Sequence, residues 1–208
     1  MRINLRARLY LWALVLATLV AFDLCVEAWK APVGTSPLLV LTLIALSVVA
    51  VAYQVSFAPR HHVSLVPGVV FATVLLLPPP LAMLVVALSQ VGGGLLVAVR
   101  RRSGRGRPWQ SAEIIFSTTR WSLAAALGAL AYYLLTPQQS PIHASTLASL
   151  VAIPAAAIVM NLADTWSVAV MTGLQVRQNP AYIWLNSRNT EPLQPVAIYV
   201  LGLLGALT

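Results

Sequence analysis

The chain has 208 residues, of which 59% are hydrophobic and only 9% are charged. A soluble domain carries roughly 25% charged residues, so this chain has too little polar surface for a water-soluble globule and too many apolar side chains for intrinsic disorder. The single cysteine, Cys25, excludes an intramolecular disulfide and a cysteine-based zinc site. The basic balance, 13 Lys and Arg against 5 Asp and Glu, is typical of a membrane protein with basic cytoplasmic loops.

Seven apolar segments approach the roughly 20 residues with which a helix crosses a bilayer. In chain order they are 9–29, 37–57, 63–77, 80–99, 112–135, 144–172 and 193–208. The sequence therefore predicts an all-α, polytopic integral membrane bundle of six or seven transmembrane helices, forming a single membrane domain over 1–208. The basic N-terminus is followed by a stretch long enough to span and by no cleavage site, so we interpret it as a retained helix.

The segments differ in length and in proline content. Segment 63–77 is short and ends at the run Pro78-Pro79-Pro80, and proline ends helices because it lacks a backbone N–H. We expect this segment either to form a tight helical hairpin with segment 80–99 or to cross the membrane only in part. Segment 144–172 is longer than a bilayer requires and contains Pro154, which predicts a tilt, a kink or a projecting end.

The arginines predict the orientation of the bundle. If the N-terminus is cytoplasmic and each segment crosses once, eleven of the thirteen Lys and Arg lie on the cytoplasmic side, as the positive-inside rule requires. We expect the densest group to contact anionic lipid headgroups, at about 1 kcal/mol per basic residue. This group is Arg100, Arg101, Arg102, Arg105 and Arg107. We do not expect a nucleic-acid surface, because Trp109 is the only aromatic residue beside it.

Two opposite charges lie at matching depth in the fifth and sixth segments. Arg120 and Asp164 are each about 12 Å from the cytoplasmic end of their segment, at 1.5 Å per residue. Charges at this depth are costly unless they are paired or hydrated, so the sequence predicts a buried ion pair, with Glu113 as a competing partner for Arg120. The pair either holds the two helices together, which is the interpretation we favour, or has a role in binding a ligand or a proton. Asn161, one turn before Asp164, extends the network in either case.

Other polar residues are candidates for ligand contact. Asp23 and Glu27 are four residues apart near the outer end of the first segment, and His143 is expected at the same side. They either hold a cation or a basic ligand or form an ordinary polar helix end. Gln90 also has a possible ligand-facing position, and Gly92-Gly93-Gly94 after it favours close helix packing over an unwound pocket. We expect no metal, no cofactor and no catalytic residue, since no nucleotide-binding, hydrolase or metalloprotease motif occurs.

Short motifs mark the chain between about residues 55 and 190. They are His62-Val63-Ser64-Leu65-Val66-Pro67, Leu77-Pro78-Pro79-Pro80-Leu81-Ala82, Arg107-Pro108-Trp109, Glu113-Ile114-Ile115-Phe116-Ser117, Met160-Asn161-Leu162 and Gly173-Leu174-Gln175-Val176-Arg177-Gln178-Asn179-Pro180. Together they resemble the N-terminal polytopic membrane sensor module of bacterial HD-GYP and GGDEF signalling proteins. Ser117 stands where such modules lead us to expect Asn. The resemblance implies a sensor module without its output domain, or a stand-alone relative.

The function expected from the sequence is therefore that of an integral membrane sensor or signalling module in a bacterial inner membrane. The alternatives are the substrate-binding membrane component of a small-molecule transporter and an accessory subunit of a larger membrane complex. The partners expected are a bilayer with anionic lipids at its cytoplasmic face and either another membrane protein or a second copy of the chain.

Overall fold

The structure is a computed structural model that describes residues 4–28, 35–53, 55–58, 61–101, 110–136, 147–188 and 194–207. These residues form helices joined at one point by a short β-hairpin. The helices are α1 (Leu5–Ala28), α2 (Pro37–Ala52), α3 (Val66–Leu76), α4 (Pro79–Arg101), α5 (Gln110–Leu135), α6 (Leu147–Val176), α7 (Pro180–Arg188) and α8 (Gln194–Leu207). The strands of the hairpin are β1 (Val55–Ala58) and β2 (His61–Val63).

Four helices, α1, α4, α5 and α6, are long and apolar enough to cross a membrane. Helices α2, α3 and α8 are apolar but have only 16, 11 and 14 residues, or roughly 24, 16 and 21 Å. The fold is thus helical and has the composition of a multi-pass membrane protein. A count of six or seven crossings and a cytoplasmic N-terminus remain predictions.

The predicted helix over 37–57 is wrong in its last residues. Helix α2 ends at Ala52, Tyr53 is extended, and the chain then forms the antiparallel hairpin in which Val55 lies opposite Val63. The sequence here, Gln54 followed by Val55-Ser56-Phe57 and soon by Pro59, combines β-formers with a helix breaker. An all-α fold is therefore an accurate description of the bundle but not of this connection.

Helix α7 was not expected from the sequence, in which no apolar segment was assigned between 172 and 193. Arg177 has a positive φ of 58°, the left-handed conformation that ends many helices, and the amide of Gln178 bonds the carbonyl of Gly173 at 3.0 Å. The side chain of Asn179 then accepts the Ala181 amide at 2.9 Å, which starts α7 at Pro180. The motif 173–180 is therefore a turn between two helices.

Helix α3 lies in the core of the bundle, since most of its side chains are buried. It crosses α8 where two glycines meet. A methyl group on Gly68 would lie 2.8 Å from the Ile198 carbonyl oxygen, and one on Gly202 would overlap the Gly68 backbone. The ring of Phe71 packs edge-on against Tyr199, with 5.2 Å between centroids. The short segment 63–77 is thus enclosed by protein. Protein rather than lipid surrounds the polar backbone groups at its irregular ends, as such groups require at membrane depth.

The glycine triplet of α4 serves close packing, as the sequence favoured. A methyl group on Gly93 would lie 2.5 Å from Val51 of α2, and one on Gly94 would lie 2.7 Å from Ile114 of α5. Small residues let membrane helices approach until their surfaces interlock. Helix α4 is therefore held between α2 and α5 along this stretch.

Helices α5 and α6 are antiparallel. Arg120 of α5 pairs with Asp164 of α6. Two turns further along α5, Gly128 packs against Met160, which precedes Asp164 by one turn of α6. The start of α5 and the end of α6 therefore lie at the same end of the bundle. The side chain of Asn4 donates to the carbonyl of Leu174, which places the start of α1 there as well.

Arginines at the start of α1 and at the ends of α4 and α6 lie at this same end of the bundle. Residues at the ends of α2 and α4 and at the start of α5 line one cavity, so these termini are neighbours. We call this end of the bundle the basic end, after Arg6, Arg8, Arg100 and Arg177. This grouping is the pattern on which the predicted orientation depends, and the side of the membrane that it faces stays a prediction.

Replacing Gly202 by alanine should lower the free energy of unfolding by about 1–3 kcal/mol, the usual effect of overpacking, because the methyl group would overlap Gly68. The matched control is Gly205→Ala in the same helix, where a methyl group meets no atom within 4 Å and alanine's helix propensity favours the variant. Thermal unfolding in detergent micelles measures both. Equal stability of the two variants would contradict the close crossing of α3 and α8.

Candidate functional site

The structure brings Arg120 and Asp164 together. The Arg120 Nε lies 2.9 Å from the Asp164 Oδ1, and the two side chains are 19% and 17% exposed. Glu113 is not the partner, since it lies two turns earlier at the start of α5. Burying two charges is favourable only when they meet and neighbouring groups satisfy them. The ion pair therefore ties α5 to α6 at one depth.

Aromatic side chains surround the ion pair. The Arg120 guanidinium carbon lies 5.2 Å from the centre of the Trp121 ring and 5.6 Å from that of Phe116, distances at which a cation is attracted to the ring. On α1, the Tyr10 hydroxyl donates a long hydrogen bond of 3.5 Å to the Ser167 carbonyl. The charge of Arg120 is thus enclosed by groups from three helices.

Asn161 extends the polar network to α8. Asn161 and Asp164 both lie close enough to Tyr199 of α8 to act on its hydroxyl electrostatically. Tyr199 was not identified from the sequence, where a tyrosine within a short apolar segment was the available signal. We call Arg120, Asp164, Asn161, Tyr199 and Tyr10 the ion-pair cluster. It links α1, α5, α6 and α8.

A second polar group lies between α4 and α5. The Ser117 hydroxyl donates to the Gln90 Oε1 at 2.9 Å, and Gln90 is only 2% exposed. Its Nε2 is buried and has no hydrogen-bond partner. A buried donor without a partner destabilises a protein by about 1–3 kcal/mol, so this amide is a feature that needs an explanation.

Gln90 and Ser117 line a cavity of about 460 Å³ between α2, α4 and α5. Its walls are apolar, and its charged residues come from the helix ends at the basic end of the bundle, Arg100 from α4 and Glu113 from α5. We call it the Gln90 pocket. The residues that line it are Val51, Ala52, Gln90, Gly94, Val97, Ala98, Arg100, Glu113, Ile114 and Ser117.

The two charged residues among the described lining of the pocket are not paired with each other. The guanidinium of Arg100 stacks on Tyr53, 4.5 Å from the ring centre, and donates to the tyrosine hydroxyl. Glu113 precedes Ser117 by one turn of α5, about 6 Å. The structure shows no ion pair between Arg100 and Glu113, both of which it describes. The pocket thus presents a cation and an anion from different helices.

The remaining predicted residues do not form a site with the first two groups. Asp23 and Glu27 are exposed on α1, and His143 lies outside the described residues. Within the described ranges no three His, Cys, Asp or Glu side chains are placed to hold a metal ion. Of the five loop arginines, Arg100 and Arg101 end α4, and the lipid contact predicted for Arg102, Arg105 and Arg107 falls outside the described residues.

No family model matches the chain, and no curated protein or solved structure matches it either. The resemblance to bacterial sensor modules therefore depends on the short motifs alone. The structure gives two motif residues a physical role, since Ser117 bonds Gln90 and Gly173 allows the close turn into α7.

Removing one member of the ion pair should destabilise the bundle strongly. We expect Arg120→Ala to lower the free energy of unfolding by about 3–5 kcal/mol, because it leaves the Asp164 carboxylate buried without a counter-charge. The double variant with Asp164→Ala should lose less than the sum of the single losses.

A double-mutant cycle followed by unfolding in detergent measures this coupling. Arg177→Ala is the control, since its side chain is exposed at the end of α6 and its loss should change stability little. Additive losses at 120 and 164 would show that the two charges do not act as a pair.

Proposed function

We propose that the chain is an integral membrane sensor module and that its ligand binds in the Gln90 pocket. A volume of about 460 Å³ is within the roughly 300–1,000 Å³ of small-molecule sites. Such sites combine mostly apolar walls with a few polar groups that fix the ligand's orientation, and the Gln90 pocket has this composition. The resemblance of the motifs to sensor modules favours the same reading.

The observation that supports this proposal most directly is the unpartnered Nε2 of Gln90. Its other amide atom is held by Ser117, so the side chain keeps one orientation and leaves the nitrogen to donate. The nitrogen is covered by protein atoms, so a ligand with a hydrogen-bond acceptor would reach it after a small shift of the side chain and would then recover the free energy lost by burying the donor. If the side chain at position 90 were required only for packing, a leucine of similar size would pack equally well and would bury no donor without a partner.

The position of the pocket supports a sensing role. Ser117, which lines the pocket, precedes Arg120 by three residues of α5. The pocket wall at Ser117 and the ion pair are therefore about 4.5 Å apart along the helix axis. A ligand that changes the position of α5 relative to α4 therefore also changes the contact between α5 and α6. Two sites coupled through one rigid element are the physical basis of a conformational response.

We further propose that the basic end of the bundle is cytoplasmic, in a bacterial inner membrane, where Arg100 and its neighbours contact anionic lipid. The grouping of the described arginines supports this orientation through the positive-inside rule.

The alternatives for the function are a transporter's substrate-binding component, which needs a similar pocket, and an accessory subunit, which needs none.

Ligand binding should raise the unfolding temperature of the purified protein, and Gln90→Leu should abolish that rise. A ligand at 100 times its Kd stabilises by about 2.7 kcal/mol, which thermal unfolding in detergent or nanodiscs detects. The control is Gln178→Leu, the same substitution at an exposed position outside the pocket.

A ligand from a screen of metabolites and lipids that stabilises the wild type and Gln178→Leu but not Gln90→Leu would support the proposal. A ligand that stabilises all three proteins equally would place the site elsewhere. Accumulation of the ligand inside proteoliposomes would support the transporter instead.

A further inference from the structure

We propose that the Gln90 pocket selects a zwitterion that carries a primary ammonium and a phosphate close together, the chemistry of a phosphoethanolamine group. The inference rests on the proposed function, since it names the class of ligand for the same pocket. The phosphoethanolamine group comes either from a membrane phospholipid or from a free soluble molecule, and the experiment below distinguishes the two sources.

The charges of the pocket support a zwitterion. Arg100 and Glu113 both line it, yet Arg100 is engaged with Tyr53 and no ion pair joins it to Glu113. A ligand with charges of both signs matches both side chains, with its phosphate toward the guanidinium and its ammonium toward the carboxylate. A ligand of one sign would place a like charge beside one of them.

The depth of the pocket supports an amphipathic ligand. Its charged residues lie at the ends of α4 and α5, where the apolar spans Pro79–Arg100 and Ser111–Leu135 terminate. Phospholipid headgroups occupy this level of a bilayer. The walls are apolar, including Val97 and Ile114, and the buried Gln90 amide offers a donor beyond them. A phospholipid carries charged groups at its head and apolar chains below them, so its headgroup and the start of its chains match the charged end and the apolar walls of the pocket.

The identity of the cation follows from hydrogen bonding. A primary ammonium donates up to three hydrogen bonds, so it bonds the Glu113 carboxylate directly. A trimethylammonium group donates none and is usually held by aromatic rings. The Tyr53 ring already stacks with Arg100, and none of the described residues that line the pocket is aromatic. The site therefore favours ethanolamine over choline.

The experiment measures lipid binding to the delipidated protein by native mass spectrometry. The probes are phosphatidylethanolamine, phosphatidylcholine and phosphatidylglycerol of matched chains, with soluble phosphoethanolamine as a competitor. We expect phosphatidylethanolamine to bind roughly tenfold or more tightly than phosphatidylcholine, the effect of one charge-assisted hydrogen bond. Glu113→Gln should remove this preference, whereas Glu27→Gln, at an exposed carboxylate of α1, should keep it.

Equal binding of phosphatidylethanolamine and phosphatidylcholine to the wild type would overturn the inference, as would an unchanged preference in Glu113→Gln. Displacement of the lipid by millimolar phosphoethanolamine would support the zwitterion and identify a soluble source, and a failure to displace it would identify the phospholipid.

Failure of this inference is distinguishable from failure of the proposed function. If a ligand without a zwitterionic group stabilises the wild type but not Gln90→Leu, the pocket is a ligand site and only the zwitterion is overturned. If no probe or screened ligand distinguishes the wild type from Gln90→Leu, both proposals are overturned.

Discussion

Hydrocarbon cannot hydrogen-bond a polar side chain, and this constraint governs the arrangement of every polar group inside the bundle. Hydroxyls within the helices return to the carbonyl one turn earlier, as Thr119 does to Ile115 at 2.8 Å. Arg120 meets Asp164, and Ser117 meets Gln90. The Nε2 of Gln90 is buried without a partner, as are the hydroxyls of Ser47, Thr118 and Ser122; of these residues, Gln90 is the one that lines the pocket for which we propose a ligand.

Close packing at glycine is the second constraint, and it shapes the same pocket. Apolar helices gain nothing from leaving lipid for one another, so their association depends on contact between surfaces that fit. Because glycine has no side chain, Gly93 leaves room for Val51 and Gly94 leaves room for Ile114. Helices α2 and α5 can therefore pack directly against α4. Val51, Gly94 and Ile114 also line the Gln90 pocket. The glycine triplet therefore creates both the interface and the wall of the cavity.

Sequence reasoning succeeded where a feature depends on one helix or on two consecutive ones. Uniform apolar runs located α1, α4, α5 and α6, and counting depth from the loop brought Arg120 and Asp164 to the same level. It failed where contacts join segments that are far apart along the chain, because the sequence alone does not show which helix packs against a given residue. The proximity of Asn161 to Tyr199 on α8 belongs to this class, and so does the crossing of Gly68 with Gly202.

Helix α5 connects the two polar sites of the protein. One face holds Ser117 against Gln90 of α4, and Arg120, less than one turn further, holds Asp164 of α6. The two contacts share a rigid backbone, so a shift of α5 that improves one changes the geometry of the other. An ion pair is sensitive to such a shift, since its free energy depends steeply on distance where the surroundings are apolar. Under the proposed function, this connection is the route by which a ligand in the Gln90 pocket changes the packing of α5 against α6.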